Sequence, residues 1–118
     1  MINSKPQIKN LDTLYCGDNL GILKGIPDES IDLCYIDPPF GTMKEWKATG
    51  AEGQAYGYKD SWSSLDGYLE FMELRVVEIH RVLKDTGSFY LHCDWHASHY
   101  LKVMVDRIFG YNNFRNDI

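Results

Sequence analysis

Two runs of apolar positions set the frame of the chain. "SIDLCYI" (30 to 36) is nearly continuous in apolar residues, the pattern of a strand covered on both faces, which predicts a parallel sheet flanked by helices. From Ser64 the period changes: Leu65, Tyr68/Leu69, Met72, Val76, Ile79 and Leu83 recur at helical spacing, with Lys84 and Gly87 as a carboxyl-terminal signal. "TLYCGD" (13 to 18) reads as a short strand, after which Asp18 can cap the amphipathic "NLGILKGI", closed by Pro27 and Asp28. "SFYLHC" (88 to 93) reads as a third strand. Asp94 can then cap a second long helix, whose stripe of Leu101, Met104, Val105 and Ile108 ends before Gly110. The order strand, helix, strand, helix, strand, helix predicts an open α/β sheet with right-handed crossovers.

Residues 41 to 63 break the pattern. The stretch is rich in glycine and aromatics, has neither period, and reads as a long flexible loop, a feature that in a compact domain is functional or disordered. It carries Trp46, Tyr56, Tyr58 and Trp62 among Lys44, Lys47 and Lys59.

Length and composition narrow the picture. With 118 residues, 44% hydrophobic and 14% aromatic, the chain can bury one core and reads as one domain or part of one. No run approaches the roughly 20 apolar residues of a membrane span, and "MINSKPQIKN" lacks the apolar segment of a secretory signal, so a cytoplasmic protein is expected. Cys16, Cys34 and Cys93 are odd in number and far apart, which suits reduced, buried thiols in strands. A net charge of -5 argues against a self-sufficient nucleic-acid binder, since phosphate contacts need concentrated Lys and Arg.

The candidate chemistry lies in "CYIDPPFG" (34 to 41). In an open α/β sheet ligands bind beyond the carboxyl ends of the strands, where Asp37 is expected. Pro38 biases Asp37 to an extended backbone, Pro39 does the same to Pro38, and both delete a backbone donor. The corner therefore offers acceptors, the Asp37 carboxylate and the Pro38 carbonyl, with the aromatic Phe40 beside them. Converging acceptors suit a group with two hydrogens to donate, such as an exocyclic amine. The plainer reading is a tight strand exit with Phe40 as a core anchor.

Three pieces, "LYCGDNLGILKGIPDESIDLCYIDPPFG", "YLEFMELRVVEIHRVLKDTGSFYLHCD" and "ASHYLKVMVDRIFGYNNFRNDI", cover most of the chain in one order. Together they resemble the amino-terminal part of the permuted, β-type DNA amino-methyltransferases, especially the adenine-N6-specific enzymes of bacterial restriction-modification systems. "Y-x-D-x-W" at 58 to 62 is similar to the family's usual exit from the loop. The resemblance implies an incomplete Rossmann-like, S-adenosylmethionine-dependent methyltransferase fold over residues 1 to 118. It implies that Asp37 and the Pro38 carbonyl hold the adenine N6 amine, within the corner Asp37-Pro38-Pro39-Phe40, and aim the nitrogen lone pair at the methyl group of S-adenosylmethionine. Phe40 would stack on an adenine flipped out of double-stranded DNA, a rotation that costs about a few kcal/mol. Asp37 also borders the cofactor in this reading. Asp18 matches a family position expected near the cofactor's adenosine, and remains equally an ordinary helix N-cap.

The family's aromatic-x-Gly-x-Gly cofactor turn and its target-recognition segment are not found in these residues. The expectation is a fragment, a truncated product or half of a split enzyme, inactive alone, with an exposed apolar edge that favours self-association. A restriction subunit is a further expected partner.

Other readings stay open. "HCDWHASH" (92 to 99) places His92, Cys93, His96 and His99 close together, but a regular strand sends His92 and Cys93 to opposite faces and the spacing fits no standard zinc pattern, so no metal site is expected. The aromatics of residues 46 to 62 form a lid over the flipped base, a cover for the sheet end, or a single-strand stacking platform. Asp at the head of the motif favours adenine over the N4 of cytosine, where Ser-Pro-Pro is commoner by resemblance. An inactive remnant that binds nucleic acid or associates with protein is the remaining alternative.

Overall fold

A computed structural model describes residues 12–41 and 64–118 with their side chains, and 44–49 and 55–60 by backbone alone. The elements run α1 (Asn19–Lys24), β1 (Ile31–Ile36), β2 (Lys44–Thr49), β3 (Ala55–Asp60), α2 (Leu65–Val82), β4 (Leu83–Leu91) and α3 (Ser98–Phe109), then a 3-10 turn at Tyr111–Asn113. β1 pairs with β4 in parallel, and β2 pairs with β3 antiparallel. Three helices and a parallel strand pair joined through α2 make part of an α/β fold.

Helix α2 starts where Ser64 accepts a hydrogen bond from the Gly67 N–H at 3.1 Å, a side-chain N-cap. Its stripe delivers Tyr68, Met72 and Val76, all fully buried, to a core shared with Ala97, Leu101 and Met104. Ile36, Phe89 and Leu91 of the sheet close that core from the other side. Phe109, at the end of α3, stacks on Phe89 and meets His80 edge-on. Burial of such side chains contributes roughly 1.5–3 kcal/mol each, so this one cluster fixes the angle at which α2 and α3 meet the sheet.

The helix ends one residue before its periodic stripe, and β4 begins at Leu83 rather than at Ser88. Ladder pairing explains the difference. Ile31 pairs with Leu83 and Leu33 with Ser88, so two steps of β1 face five of β4 and the extra residues bulge. Gly87 lies within the bulge: a Cβ there would sit 3.0 Å from Leu83 Cδ2 and 3.0 Å from the Lys84 carbonyl oxygen. The expected helix terminator is therefore a close-approach glycine.

Four further expectations are corrected. Residues 13–18 form no strand, and Leu14 is 97% exposed, because no described strand lies beside them to pair. Cys16 is accordingly exposed, while Cys34 and Cys93 are half-buried and all three thiols are free. The stretch read as a loop contains the β2–β3 hairpin, with Trp46 opposite Tyr58 and Ala48 opposite Tyr56 in register. A period of two is present in each half, hidden by the intervening "GAEGQ". The side chains of Trp46, Tyr56, Tyr58, Lys44, Lys47 and Lys59, and all of Trp62, lie outside the described residues, as do the lid, cover and platform readings that rest on them.

The fourth concerns the sheet. β1 was expected to be covered on both faces, yet Leu33 and Tyr35 are 59% and 61% exposed and Tyr90, the register partner of Tyr35, is 48% exposed. The core formed with α2 and α3 takes the opposite face, that of Ile36, Phe89 and Leu91. Among the described residues nothing buries the second face.

Candidate active site

Because β1 and β4 are parallel, both leave the sheet at the same edge. Ile36 pairs with Leu91, and the His92 N–H extends the ladder with a 3.0 Å bond to the Ile36 carbonyl. Residues 37–41 and 92–97 therefore form adjoining walls beyond the carboxyl ends of the strands, where open α/β sheets hold ligands.

The first wall is the Asp37-Pro38-Pro39-Phe40 corner. Tyr68, fully buried, donates a 2.6 Å hydrogen bond from its phenol to the Pro39 carbonyl oxygen. Gly41 follows with φ +74, and a Cβ at that position would lie 3.0–3.1 Å from carbons of the Tyr68 ring. Only glycine meets both demands, the left-handed backbone and the close approach. Phe40 is half-buried, its ring 5.3 Å from that of His92 and tilted by 53°. The corner is thus held from below by α2 and from the side by the end of β4.

These supports sort the acceptors. Pro39's carbonyl is engaged by Tyr68, whereas among the described residues the Pro38 carbonyl has no donor. Asp37 is exposed and, among the described residues, makes no hydrogen bond or ion pair. Among the described residues, the two groups singled out from the sequence are therefore both available to an external donor.

Asp18 stands in a different setting. Its Oδ1 accepts from the Leu20 N–H at 3.0 Å, as an N-cap of α1, and from Arg75 Nη2 at 2.9 Å. The Leu20 bond chiefly, and then the Arg75 charge and hydrogen bond, hold its carboxyl below the ordinary aspartate range against a partial desolvation. None of these contacts joins Asp18 to residues 37–41.

Arg75 escaped the sequence reading. It is 8% exposed, and also donates from Nε to Asn19 Oδ1 (2.8 Å) and from Nη1 to the Phe71 carbonyl (2.9 Å), with its guanidinium 3.6 Å from the centre of the Phe71 ring. Arg81 clamps the other end of α1 through the Leu23 and Ile26 carbonyls at 2.8 and 2.9 Å. Two arginines on α2 therefore dock α1 and the Asp18 corner by hydrogen bonding, the backbone carbonyls at the helix end included. Their only sequence signal was a basic residue at or beside an apolar stripe.

The second wall differs from the expected helix cap. α3 begins after Ala97, with no side-chain cap, because the Asp94 carboxylate is taken by its neighbour: Oδ1 accepts from the His96 N–H at 3.0 Å and Oδ2 lies 2.8 Å from His96 Nδ1. The Asp94 carbonyl receives the Ser98 N–H at 3.0 Å instead. Cys93, beside it, has its thiol pushed up by burial first and by the charges of Asp117 and Asp94 second. No cluster of three or more potential metal-binding His, Cys, Asp or Glu side chains occurs among the described residues.

Residues 31–118, which include both walls, match the DNA methylase family. The chain belongs to that family. It is 32% identical over 123 residues to the type II methyltransferase M.KpnI of Klebsiella pneumoniae, covering 98% of this chain and 28% of that protein. It is also 32% identical to the type II methyltransferase M.BamHI of Bacillus amyloliquefaciens over 95% of this chain and 26% of that one. The DNA adenine methyltransferase YhdJ of Escherichia coli is 35% identical over 67% of this chain and 24% of its own length. This DNA methylase chain thus spans about a quarter of the length of these relatives. Among its described residues no helix is long and apolar enough to cross a membrane.

Proposed function

We propose that the chain is the catalytic part of an S-adenosylmethionine-dependent DNA methyltransferase that methylates the N6 amine of adenine within a restriction-modification system. The observation that carries this reading is the pairing of an unengaged Asp37 carboxylate with an unengaged Pro38 carbonyl on a braced corner at the ligand-binding edge. Relatives named as type II methyltransferases, a DNA adenine methyltransferase and type III Mod subunits support the substrate class and the setting. A restriction subunit is the corresponding partner.

The two acceptors take the two hydrogens of an exocyclic amine. Holding those hydrogens out of the ring plane takes the nitrogen lone pair out of conjugation with the ring, and a braced corner keeps that lone pair aimed. Such positioning supplies several kcal/mol of a barrier for two reactants held in line. Phe40, beside His92, offers an aromatic face to the flipped base.

The residues present fit the cofactor in part. The Asp18 carboxylate has one oxygen committed to Leu20 and Arg75 and is largely exposed, so it can accept from an adenosine hydroxyl or amine. Asp37 borders the donor at the reacting nitrogen. When bound, S-adenosylmethionine would supply an electrophilic methyl group: the methyl C–S bond would break as the C–N bond forms, S-adenosylhomocysteine would leave, and the amine would lose one proton to water. The rest of the Rossmann-like sheet, the cofactor's glycine turn and the segment that reads the DNA sequence are assigned to polypeptide that the relatives possess beyond the part matched here. The open sheet face with Leu33, Tyr35 and Tyr90 favours self-association of the isolated 118 residues.

The test uses the intact gene product, S-adenosylmethionine with a labelled methyl, and unmethylated plasmid DNA digested to nucleosides. Label in N6-methyladenine, lost in Asp37→Ala with an unchanged melting curve, is the expected result. Label in N4-methylcytosine would replace adenine by the alternative base, and full activity of Asp37→Ala would remove the corner from the mechanism.

A further inference from the structure

The second wall of the site carries a side chain that catalysis, as argued above, does not use. Trp95 is 76% exposed at the edge where β1 and β4 end. Its indole is stacked on the ring of His96, centroids 3.9 Å apart and planes inclined by 21°. His96 is itself held by the Asp94 carboxylate through both its backbone N–H and Nδ1. The turn beneath is anchored by Ala97, fully buried in the core, and by the Ser98 N–H on the Asp94 carbonyl. The largest aromatic side chain thus stands mostly in water while it rests on a His96 ring that Asp94 holds in place.

Two consequences follow from general physical chemistry. A large ring ordered before its partner arrives loses little further freedom on binding, which favours association. A neutral indole offers a π face and no positive charge, so it suits a base rather than a phosphate.

We propose that Trp95 is a DNA-binding residue that stacks on a nucleobase adjoining the extruded target, with Asp94 and His96 as the residues that position it. Phe40 serves the target base and Trp95 the base exposed next to it. The proposal rests on the methyltransferase reading given above.

The test is made on the intact gene product with Trp95→Ala, Trp95→Phe and Asp37→Ala. Methyl transfer to unmethylated plasmid DNA is measured against DNA and against S-adenosylmethionine concentration, and binding of a fluorescent duplex cut from that plasmid is followed by anisotropy. The loss of one base-stacking contact corresponds to about a tenfold weaker DNA interaction. Trp95→Ala should raise the KM for DNA and the duplex Kd by that factor, with the cofactor KM and melting temperature unchanged, and Trp95→Phe should recover most of the loss. A duplex Kd for Trp95→Ala within twofold of the parent overturns the proposal, whether or not methyl transfer is detected. Asp37→Ala separates the two ideas: full activity in that variant defeats the methyltransferase corner, while its inactivity beside a normal Trp95→Ala defeats only the stacking role.

Discussion

The Tyr68 phenol donates to the Pro39 carbonyl across 29 positions of sequence, 2.6 Å from donor to acceptor. A buried helix residue thereby fixes the corner that presents Asp37, and decides which proline carbonyl remains available. Tyr68→Phe keeps the ring and removes the donor. The expected loss is about 1 kcal/mol of stability, the ordinary net worth of such a bond. Methyl transfer should fall more than this suggests, in kcat rather than in the cofactor KM, because the corner loses its aim. Denaturant melts and steady-state kinetics on the intact protein check both parts.

Gly41 carries the same support from the other side. Gly41→Ala places a Cβ 3.0–3.1 Å from the Tyr68 ring on a backbone at φ +74. The strain should cost about 1–3 kcal/mol. If the variant melts at the parent temperature and methylates normally, the close packing of corner on ring has no functional weight.

Arg75 makes a prediction about pH. Arg75→Met removes the guanidinium from three acceptors in a largely buried setting, and should destabilise the protein by about 2 kcal/mol at neutral pH. Asp18 has a depressed carboxyl in the folded protein, so its stabilising contribution is complete above the ordinary aspartate value of about 4 and is lost as pH falls through the lower folded value. Part of that depression comes from Arg75. The gap in stability between parent and variant should therefore narrow below about pH 4, as read from urea melts across the acid range.

The thiols provide a test of the fold. Cys16 is exposed, whereas burial raises Cys34, and burial with nearby acidic charge raises Cys93. A raised thiol yields less thiolate at a given pH, so alkylation by iodoacetamide near pH 7.5 should label Cys16 first. Peptide mass spectrometry should find Cys34 and Cys93 reacting appreciably only at higher pH or on unfolding. Labelling of Cys34 as fast as Cys16 would contradict the packing of β1.

Much of the architecture was legible along the chain. The apolar run 30–36 is a strand, the stripe from Leu65 to Ile79 a helix, and the stripe at Leu101 and Met104 a second one, because the environment of each position repeats with the local backbone period. Asp37 was placed at a strand end, and the resemblance of the surrounding segments pointed to the family. The hairpin at 44–49 and 55–60 was missed because each half is short and glycine separates them, and residues 13–18 were misread because a strand pattern shows propensity without showing a partner.

By itself the sequence determined the strand at the 30–36 run, the two long helices, the placement of two prolines after that strand, and the family. Proline stiffness, helical period and strand period act between near neighbours, so they can be read in order. Tertiary structure alone decided the rest: that Tyr68 consumes the Pro39 carbonyl and leaves that of Pro38, that Arg75 binds Asp18 from 57 positions away, and that the ends of β1 and β4 bring Phe40 to His92. Those contacts depend on where α2 carries the chain between the two strands, a distance over which local pattern holds no information about which groups meet.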